Sequence, residues 1–177
     1  MRYVIAIDVG IKNLGLCVFD FTIAKFVFWE NISLVSNGRY LPCHNVQYVR
    51  NFVDKHRKYF DEASHVLVER QIRCNMRIVE AVFETMFFDI CIVINARCVK
   101  AHYGIGTKNY RMNKQRAVEW AKNFTSANTD AFEKDVPTAF IQQRKQDDLA
   151  DSLLLVCYFL DTYSNQLDKP FSVVNVY

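Results

Sequence analysis

The chain is poor in residues that interrupt folded structure. Its 177 residues include only five glycines and three prolines, against fourteen phenylalanines and nine tyrosines. Since 51% of the residues are hydrophobic, the composition argues against a disordered protein. The length predicts one domain, residues 1–177, that is large enough to bury a sizeable core.

The sequence also lacks a CxxC pair and any long apolar run. Several of its six cysteines lie within apolar segments, where they behave as small hydrophobic residues. This pattern argues against a zinc site and predicts an intracellular, reducing compartment. The apolar run at residues 153–160 is far shorter than the roughly 20 residues of a membrane span, and Asp8 precedes any signal-peptide core. We therefore expect a soluble protein that is not secreted.

The N-terminal stretch combines an apolar run with a single acid. Residues 3–9 are mostly aliphatic and β-branched, which predicts a strand buried on both faces. Asp8 lies inside this run, and a buried carboxylate is costly unless a cation or hydrogen bonds hold it. Gly10 and Gly15 bracket a turn that keeps backbone close to Asp8. We therefore interpret Asp8 as the central ligand of a metal site.

The remaining pattern predicts one α/β domain on a five-stranded mixed sheet, with three antiparallel strands followed by parallel ones. Further strands are expected at residues 16–21, 25–32, 65–69 and 91–95, the last of them central. Helices are expected at residues 45–59, 75–88 (with Asn75 as N-cap), 114–123 and 146–160. Residues 100–113 are expected to form a basic loop. The apolar stripe of helix 75–88 fits either a deeply buried helix or a dimer seam.

Four acids are candidates for a shared metal site. Asp8 lies in one buried strand and Glu69 ends another, while Asp148 and Asp151 are neighbours in the first turn of a helix. Converging carboxylates repel one another and bind divalent cations, and oxygen ligands suit Mg²⁺ or Mn²⁺. Two such ions can activate water and stabilise the leaving oxygen in phosphodiester hydrolysis.

Asp147 is an alternative to Asp148 as a ligand. Asp147 also lies one turn from Asp151, so spacing alone permits either pair. Asp148 lies nearer the edge of the apolar stripe that contains Leu149 and Leu153, and we therefore prefer Asp148 with Asp151.

Three motifs resemble those of the RuvC-type Holliday junction resolvases, which belong to the RNase H-like superfamily. These motifs are IDVGIKNLG at residues 7–15, VERQ at 68–71 and KQDDLADS at 145–152. The KxDDxADS form of the last motif and the short chain are most similar to the poxvirus branch. The resemblance extends from residue 3 to about residue 160.

The resemblance implies a function and a set of site residues. It implies a homodimer, formed through helix 75–88, that resolves four-way DNA junctions by paired, Mg²⁺-dependent nicks leaving 5′-phosphate ends. Asp8, Glu69, Asp148 and Asp151 match the metal-binding acids of the family, with two ions per site and Mn²⁺ as a substitute. Lys114, after GIG at residues 104–106, resembles a functional lysine. For a poxvirus member, the resemblance also implies host cytoplasm and the resolution of viral genome concatemers.

Basic side chains near the acids are candidates for DNA contacts. Phosphate contacts position a duplex without reading its sequence, so we expect recognition of DNA shape. Lys114 is predicted to stabilise charge in the transition state. The other candidates are Arg70, Arg73, Arg77, Lys100, Lys108, Arg111 and Arg116. Bacterial relatives often have an aromatic wedge soon after the second acid, where this chain has Arg70 to Arg73.

Three other functions fit parts of the pattern. An RNase H-like enzyme acting on RNA–DNA hybrids would recognise 2′-hydroxyls in the same fold. A sugar-kinase or actin-like ATPase would need a second half and a second phosphate loop, which the sequence lacks. A structural binder of branched DNA would be expected to lack one of the four acids, all of which are present.

Overall fold

Five strands form one mixed sheet in the computed structural model, which describes residues 2–35, 38–143 and 145–163. The strand order is β3-β2-β1-β4-β5. Strands β1, β2 and β3 are antiparallel, whereas β4 is parallel to β1 and β5 to β4. The predicted sheet is confirmed, except that β5 lies at its edge and not at its centre. The strands are β1 (Tyr3–Asp8), β2 (Leu14–Asp20), β3 (Lys25–Ile32), β4 (Ala63–Glu69) and β5 (Cys91–Ile94).

Helices cover both faces of this sheet. They are α1 (Asn45–Lys55), α2 (Arg57–Phe60), α3 (Cys74–Met86), α4 (Ala96–His102), α5 (Tyr110–Ala127), α6 (Val136–Gln142) and α7 (Asp147–Tyr163). Within the part of the chain that the structure describes, no helix combines the length and hydropathy that a membrane span requires.

Several predicted helix limits are wrong, chiefly because the capping residues differ from those expected. The helix expected at residues 45–59 divides at His56 into α1 and α2. Asn75 is not an N-cap but lies inside α3, which begins without a side-chain cap. Much of the expected loop at 100–113 is helical, because Asn95 caps α4 and Asn109 caps α5 by accepting backbone N–H groups.

The helix α3 is not deeply buried. Only Val79, Glu80 and Phe83 are buried, while Ile78 and Met86 are 46% and 40% exposed. Within the described chain, an apolar face of α3 therefore remains uncovered.

Alternation along β1 and β4 decides which face of the sheet carries the acids. Val4 and Ala6 pack in the core that includes α7, whereas Ile5 and Ile7 pack in the core under α1 and α3. Since side chains alternate along a strand, Asp8 faces α7 with Val4 and Ala6. Glu69 faces α7 for the same reason, since it follows Leu67 by two residues.

The start of α7 is fixed against the sheet by side chains of β3. The Trp29 indole N–H donates to the Leu149 carbonyl at 2.9 Å, and the Asn31 amide donates to the Lys145 carbonyl at 2.6 Å. Nine residues of α7 are buried, so most of this helix lies between the sheet and the other helices. The aspartates in its first turns are therefore held by the core of the protein.

Gly15 allows α7 to approach β2 at the level of these aspartates. A Cβ atom at residue 15 would overlap the carbonyl group of Asp148 and lie 3.3 Å from the Ser152 Cβ. The obstruction is helix backbone, which cannot turn aside as a flexible side chain could.

We expect Gly15→Ala to lower the free energy of unfolding by about 3 kcal/mol, because the first turn of α7 must shift. Chemical denaturation measures this change. Gly106→Ala is the control, since a Cβ there would lie 3.6 Å from Lys100, an ordinary contact, and should change stability by about 0.5 kcal/mol or less. Wild-type stability in Gly15→Ala would show that this close approach is not required.

Candidate active site

Two of the predicted acids lie side by side at the carboxyl ends of parallel strands. Ile7 pairs with Val68, so the next residues, Asp8 and Glu69, are neighbours at the ends of β1 and β4. Adjacent strands are about 4.8 Å apart, which brings both carboxylates within reach of one cation.

The helix α7 brings a third acid to the same place. Oxygen atoms of Asp8, Glu69 and Asp151 all lie within 4.8 Å of one another. We call these three residues the acidic triad. Asp148 is not part of this group, and its carboxylate forms an ion pair with Lys145. Its charge nevertheless contributes to raising the pKa values of Asp8 and Glu69, so it lies close to the triad.

Burial and repulsion between neighbouring carboxylates raise the pKa values of all three carboxyl groups of the triad. Burial, followed by the charges of Glu69 and Asp151, raises the pKa of Asp8 well above its usual range. Loss of hydration and the charge of Asp151 raise the pKa of Glu69 to about 8. Burial likewise raises the pKa of Asp151, although Lys100 opposes this effect. The fold therefore keeps three acids together that do not ionise easily without a cation.

Lysines compensate part of this negative charge. The Lys100 ammonium lies 3.0 Å from Asp151 Oδ1, and Lys114 donates a hydrogen bond to Asp147. Burial opposes ionisation of Lys100, but the charges of Asp151 and Glu69 outweigh it and raise the pKa of Lys100. The Lys114 bond lowers the pKa of Asp147 in spite of its partial burial. Asp147 therefore serves as the partner of Lys114, at the rim of the triad.

The donor set fits a divalent cation. Among the described residues, the buried Asp151 Oδ1 is contacted by one cation, the Lys100 ammonium at 3.0 Å. A single ammonium group does not balance three converging carboxylates, so the group still lacks positive charge. Three carboxylates with no nitrogen or sulfur donor are the ligands that Mg²⁺ and Mn²⁺ prefer.

Most of the predicted DNA-binding side chains are exposed at the surface. The exposed ones are Arg70, Arg73, Arg77, Lys108, Arg111 and Arg116. Lys100 differs from them, because its side chain is only 14% exposed and points to Asp151. Its role as a DNA contact stays a prediction, as do the roles of the six arginines and lysines on the surface.

An open groove lies between α5 and the start of α7. It encloses about 630 Å³, and Lys114, Lys122 and Lys145 are among its lining residues together with Asp147. Two of these three ammonium groups are engaged by acids at the start of α7, since Lys114 pairs with Asp147 and Lys145 with Asp148.

Comparison with known families identifies the relatives of this chain. The sequence profile of the family described as "Poxvirus A22 protein" matches residues 2–162. The chain belongs to this family. The resemblance to poxvirus members predicted from the three motifs is therefore confirmed. A comparison with curated proteins gives no match.

Solved structures with the same fold include three resolvases. The yeast mitochondrial Holliday junction resolvase Ydc2 is 17% identical with a TM-score of 0.66, covering 93% of this chain and 84% of its own. The fowlpox virus resolvase in complex with Holliday junction DNA is 17% identical with a TM-score of 0.65, covering 90% and 97%. Thermus thermophilus RuvC with its Holliday junction substrate is 15% identical with a TM-score of 0.56, covering 97% and 100%. The predicted RNase H-like fold of this A22 family chain is thus confirmed.

Sequence reasoning missed two contacts that shape the site of this A22 family member. The Lys100 ion pair with Asp151 joins residues far apart in the chain, and no local pattern signals it. Glu80, which lies 3% exposed in α3, hydrogen-bonds to the loop after Glu69. The position of Glu80 within the apolar stripe of α3 could have indicated that this acid is buried.

Proposed function

We propose that this chain is a structure-selective endonuclease that resolves four-way DNA junctions by paired, metal-dependent phosphodiester hydrolysis. The observation that carries the proposal is the acidic triad at the carboxyl ends of β1 and β4. Membership of the Poxvirus A22 protein family, together with the fold shared with three junction resolvases, supports the choice of substrate.

The acids would hold Mg²⁺, with two ions per site and Mn²⁺ as a substitute. Asp8, Glu69 and Asp151 would be shared ligands, and Asp148 would join them after release from Lys145. Bound divalent ions would supply Lewis-acid stabilisation of charge on the phosphate and a more acidic water. The elevated pKa values of Asp8 and Glu69 favour this role. A bound cation would offset the repulsion between the carboxylates and so stabilise their ionised forms.

Two lysines would assist the reaction. Lys100, held in its charged form beside Asp151, lies where it can offset negative charge that develops on a phosphate at the triad. Lys114 would fix Asp147 and thereby orient the first turn of α7. Arg70, Arg73 and the other exposed basic residues around the site would position the DNA through its phosphates.

A homodimer would supply the two nicks that resolution of a junction requires. The exposed Ile78 and Met86 on α3 support residues 75–88 as the dimer contact. Sedimentation velocity distinguishes a dimer from a monomer. In a poxvirus, the enzyme would act in host cytoplasm on concatemers of the viral genome.

The test offers labelled synthetic substrates to the wild-type protein in Mg²⁺ and in EDTA. We expect paired, symmetric nicks in a four-way junction with Mg²⁺ and none in EDTA. Linear DNA duplex and RNA–DNA hybrid of equal length serve as controls at the same salt concentration. Equal cleavage in EDTA would contradict the metal site, and a preference for the hybrid would contradict the proposed substrate.

A further inference from the structure

A buried carboxylate outside the acidic triad reaches the loop that follows Glu69. Glu80 lies on α3 and is only 3% exposed, yet it is an acid. Its Oε2 accepts a hydrogen bond of 2.6 Å from the backbone N–H of Gln71. Among the described residues, the Gln71 N–H is the one hydrogen-bond partner of the Glu80 side chain. Burial of an acid is costly, and here a single backbone contact compensates for it.

The loop at residues 70–73 depends on a small number of such contacts. The Arg70 N–H donates to the Ile94 carbonyl at 2.8 Å, which continues the pairing with β5. The Gln71 side chain donates to the Glu69 carbonyl at 3.0 Å. Beyond these bonds the loop enters α3, whose first turn has no side-chain cap. The Glu80 bond is therefore the contact that ties this loop to a packed helix.

The same loop connects the triad to exposed groups. Glu69 immediately precedes it, and Arg70, Ile72 and Arg73 project from it, with Ile72 94% exposed. Movement of Gln71 would displace the Glu69 carboxylate and these three side chains together. Charge-assisted hydrogen bonds to a backbone N–H are about twice as strong as neutral ones, which explains the use of a carboxylate here.

We infer that Glu80 is a positioning residue, which holds the 70–73 loop so that Glu69 keeps its place in the triad and the loop meets DNA in a fixed conformation. The inference rests on the proposed function, since it concerns the same site. It assigns no contact with substrate to Glu80 itself.

The test compares Glu80→Leu and Glu80→Gln with wild type. Leucine fills a similar volume without a buried charge, so we expect its thermal midpoint to equal or exceed that of wild type. Junction cleavage by Glu80→Leu should nevertheless fall at least tenfold in kcat, and Mn²⁺ affinity should weaken at least threefold. Glu80→Gln keeps an acceptor oxygen and should stay within about threefold of wild type in both measurements.

Amide hydrogen exchange supplies a readout that does not depend on activity. The Gln71 N–H should be protected in wild type and in Glu80→Gln, and should exchange at least tenfold faster in Glu80→Leu. Glu133→Leu is the matched control, because Glu133 is an exposed glutamate beside β3, at the opposite edge of the sheet from β5. That variant should match wild type in exchange, metal affinity and cleavage.

Two outcomes separate this inference from the proposed function. If wild type cleaves junctions while Glu80→Leu retains full kcat and Gln71 protection, the positioning role is wrong and the function stands. If wild type cleaves no junction, the function is wrong, and Gln71 exchange with Mn²⁺ affinity still decides whether Glu80 holds the loop. A thermal midpoint in Glu80→Leu well below wild type, with equal losses in Glu80→Gln, would assign Glu80 to folding alone and overturn the inference.

Discussion

Asp8→Asn is expected to reduce junction cleavage about a thousandfold or more while the protein remains folded. Asp8 is the last residue of β1, and its carboxylate lies within 4.8 Å of those of Glu69 and Asp151. An amide is a weak ligand for Mg²⁺, so several kcal/mol of charge stabilisation should be lost, and each 1.4 kcal/mol is about a factor of ten in rate. Gel analysis of nicked junctions measures the loss.

The same substitution should stabilise the metal-free protein at neutral to alkaline pH. Burial and the charges of Glu69 and Asp151 raise the pKa of Asp8, and the pKa of Glu69 is raised to about 8. The folded state thus keeps protons that the unfolded chain releases near pH 4. Stability in EDTA must therefore fall as pH rises toward about 8.

The pH window for this measurement is set by other groups. Burial lowers the pKa values of His56 and His65, so these residues make the folded state more stable as pH rises to about 6.5. Between about pH 7 and 8 the acids dominate, and the thermal midpoint of wild type in EDTA should decrease. The decrease should be smaller in Asp8→Asn, which carries one fewer buried carboxyl.

Divalent ions should reverse these differences. Addition of Mg²⁺ should raise the midpoint of wild type and leave that of Asp8→Asn nearly unchanged, because binding to the folded state stabilises it. Asp130→Asn, which alters an exposed acid in the turn at Thr129–Ala131, should behave as wild type. Wild-type cleavage or an unchanged Mg²⁺ response in Asp8→Asn would remove Asp8 from the metal site.

The strands that carry the site could be predicted from sequence because each is a short apolar run ended or interrupted by an acid. The limits of β3 are those predicted, and the ends of β1 and β4 at Asp8 and Glu69 follow directly from their patterns. The place of β5 could not be predicted in the same way. Its residues are apolar, yet three of the four are only partly buried, and apolarity alone does not distinguish an edge strand from a central one.

Helix starts were misjudged where capping decides them. Asn109 accepts N–H groups from Arg111 and Met112, which begins α5 inside the segment that was expected to form a loop. Asn95 does the same for α4. Asparagine is a strong N-cap, and greater weight on these two residues would have found both helices.

The acids could be predicted as a group but not in their individual orientation. Spacing makes Asp148 and Asp151 neighbours on α7, and it leaves Asp147 as an alternative. The structure brings Asp151 into the triad, pairs Asp147 with Lys114, and leaves Asp148 beside Lys145. These choices depend on the rotation of α7 against the sheet, which Trp29 and Asn31 fix across more than a hundred residues of sequence.

Lys100→Met is expected to reduce kcat for junction cleavage about a hundredfold, the usual cost of removing a group that offsets transition-state charge. Among the described residues, Lys100 is the lysine that forms an ion pair with the triad, 3.0 Å from Asp151. Methionine retains most of the side-chain volume, so the loss would come from charge and not from packing. Single-turnover cleavage at saturating Mg²⁺ measures the change.

The direction of the metal response separates Lys100 from a residue that only supports the fold. Without its ammonium group, the triad loses its internal counter-charge, so divalent ions should bind more tightly while catalysis weakens. A lower Mn²⁺ dissociation constant together with a lower kcat is therefore the expected combination. The metal-free variant should also lose about 3 kcal/mol of stability at pH 8, since removing one partner leaves a nearly buried charge unpaired.

Two further variants test whether position or charge alone is needed. Lys100→Arg keeps the charge and should recover part of the activity. Lys114→Ala should cut cleavage more than tenfold and preserve junction binding, but it should leave Mn²⁺ affinity closer to wild type, because Lys114 pairs with Asp147 outside the triad. A larger loss of kcat in Lys114→Ala than in Lys100→Met would contradict the catalytic role of Lys100. Lys114 would then supply the positive charge at the phosphate, and the Lys100 contact with Asp151 would only balance the charge of the metal-free site.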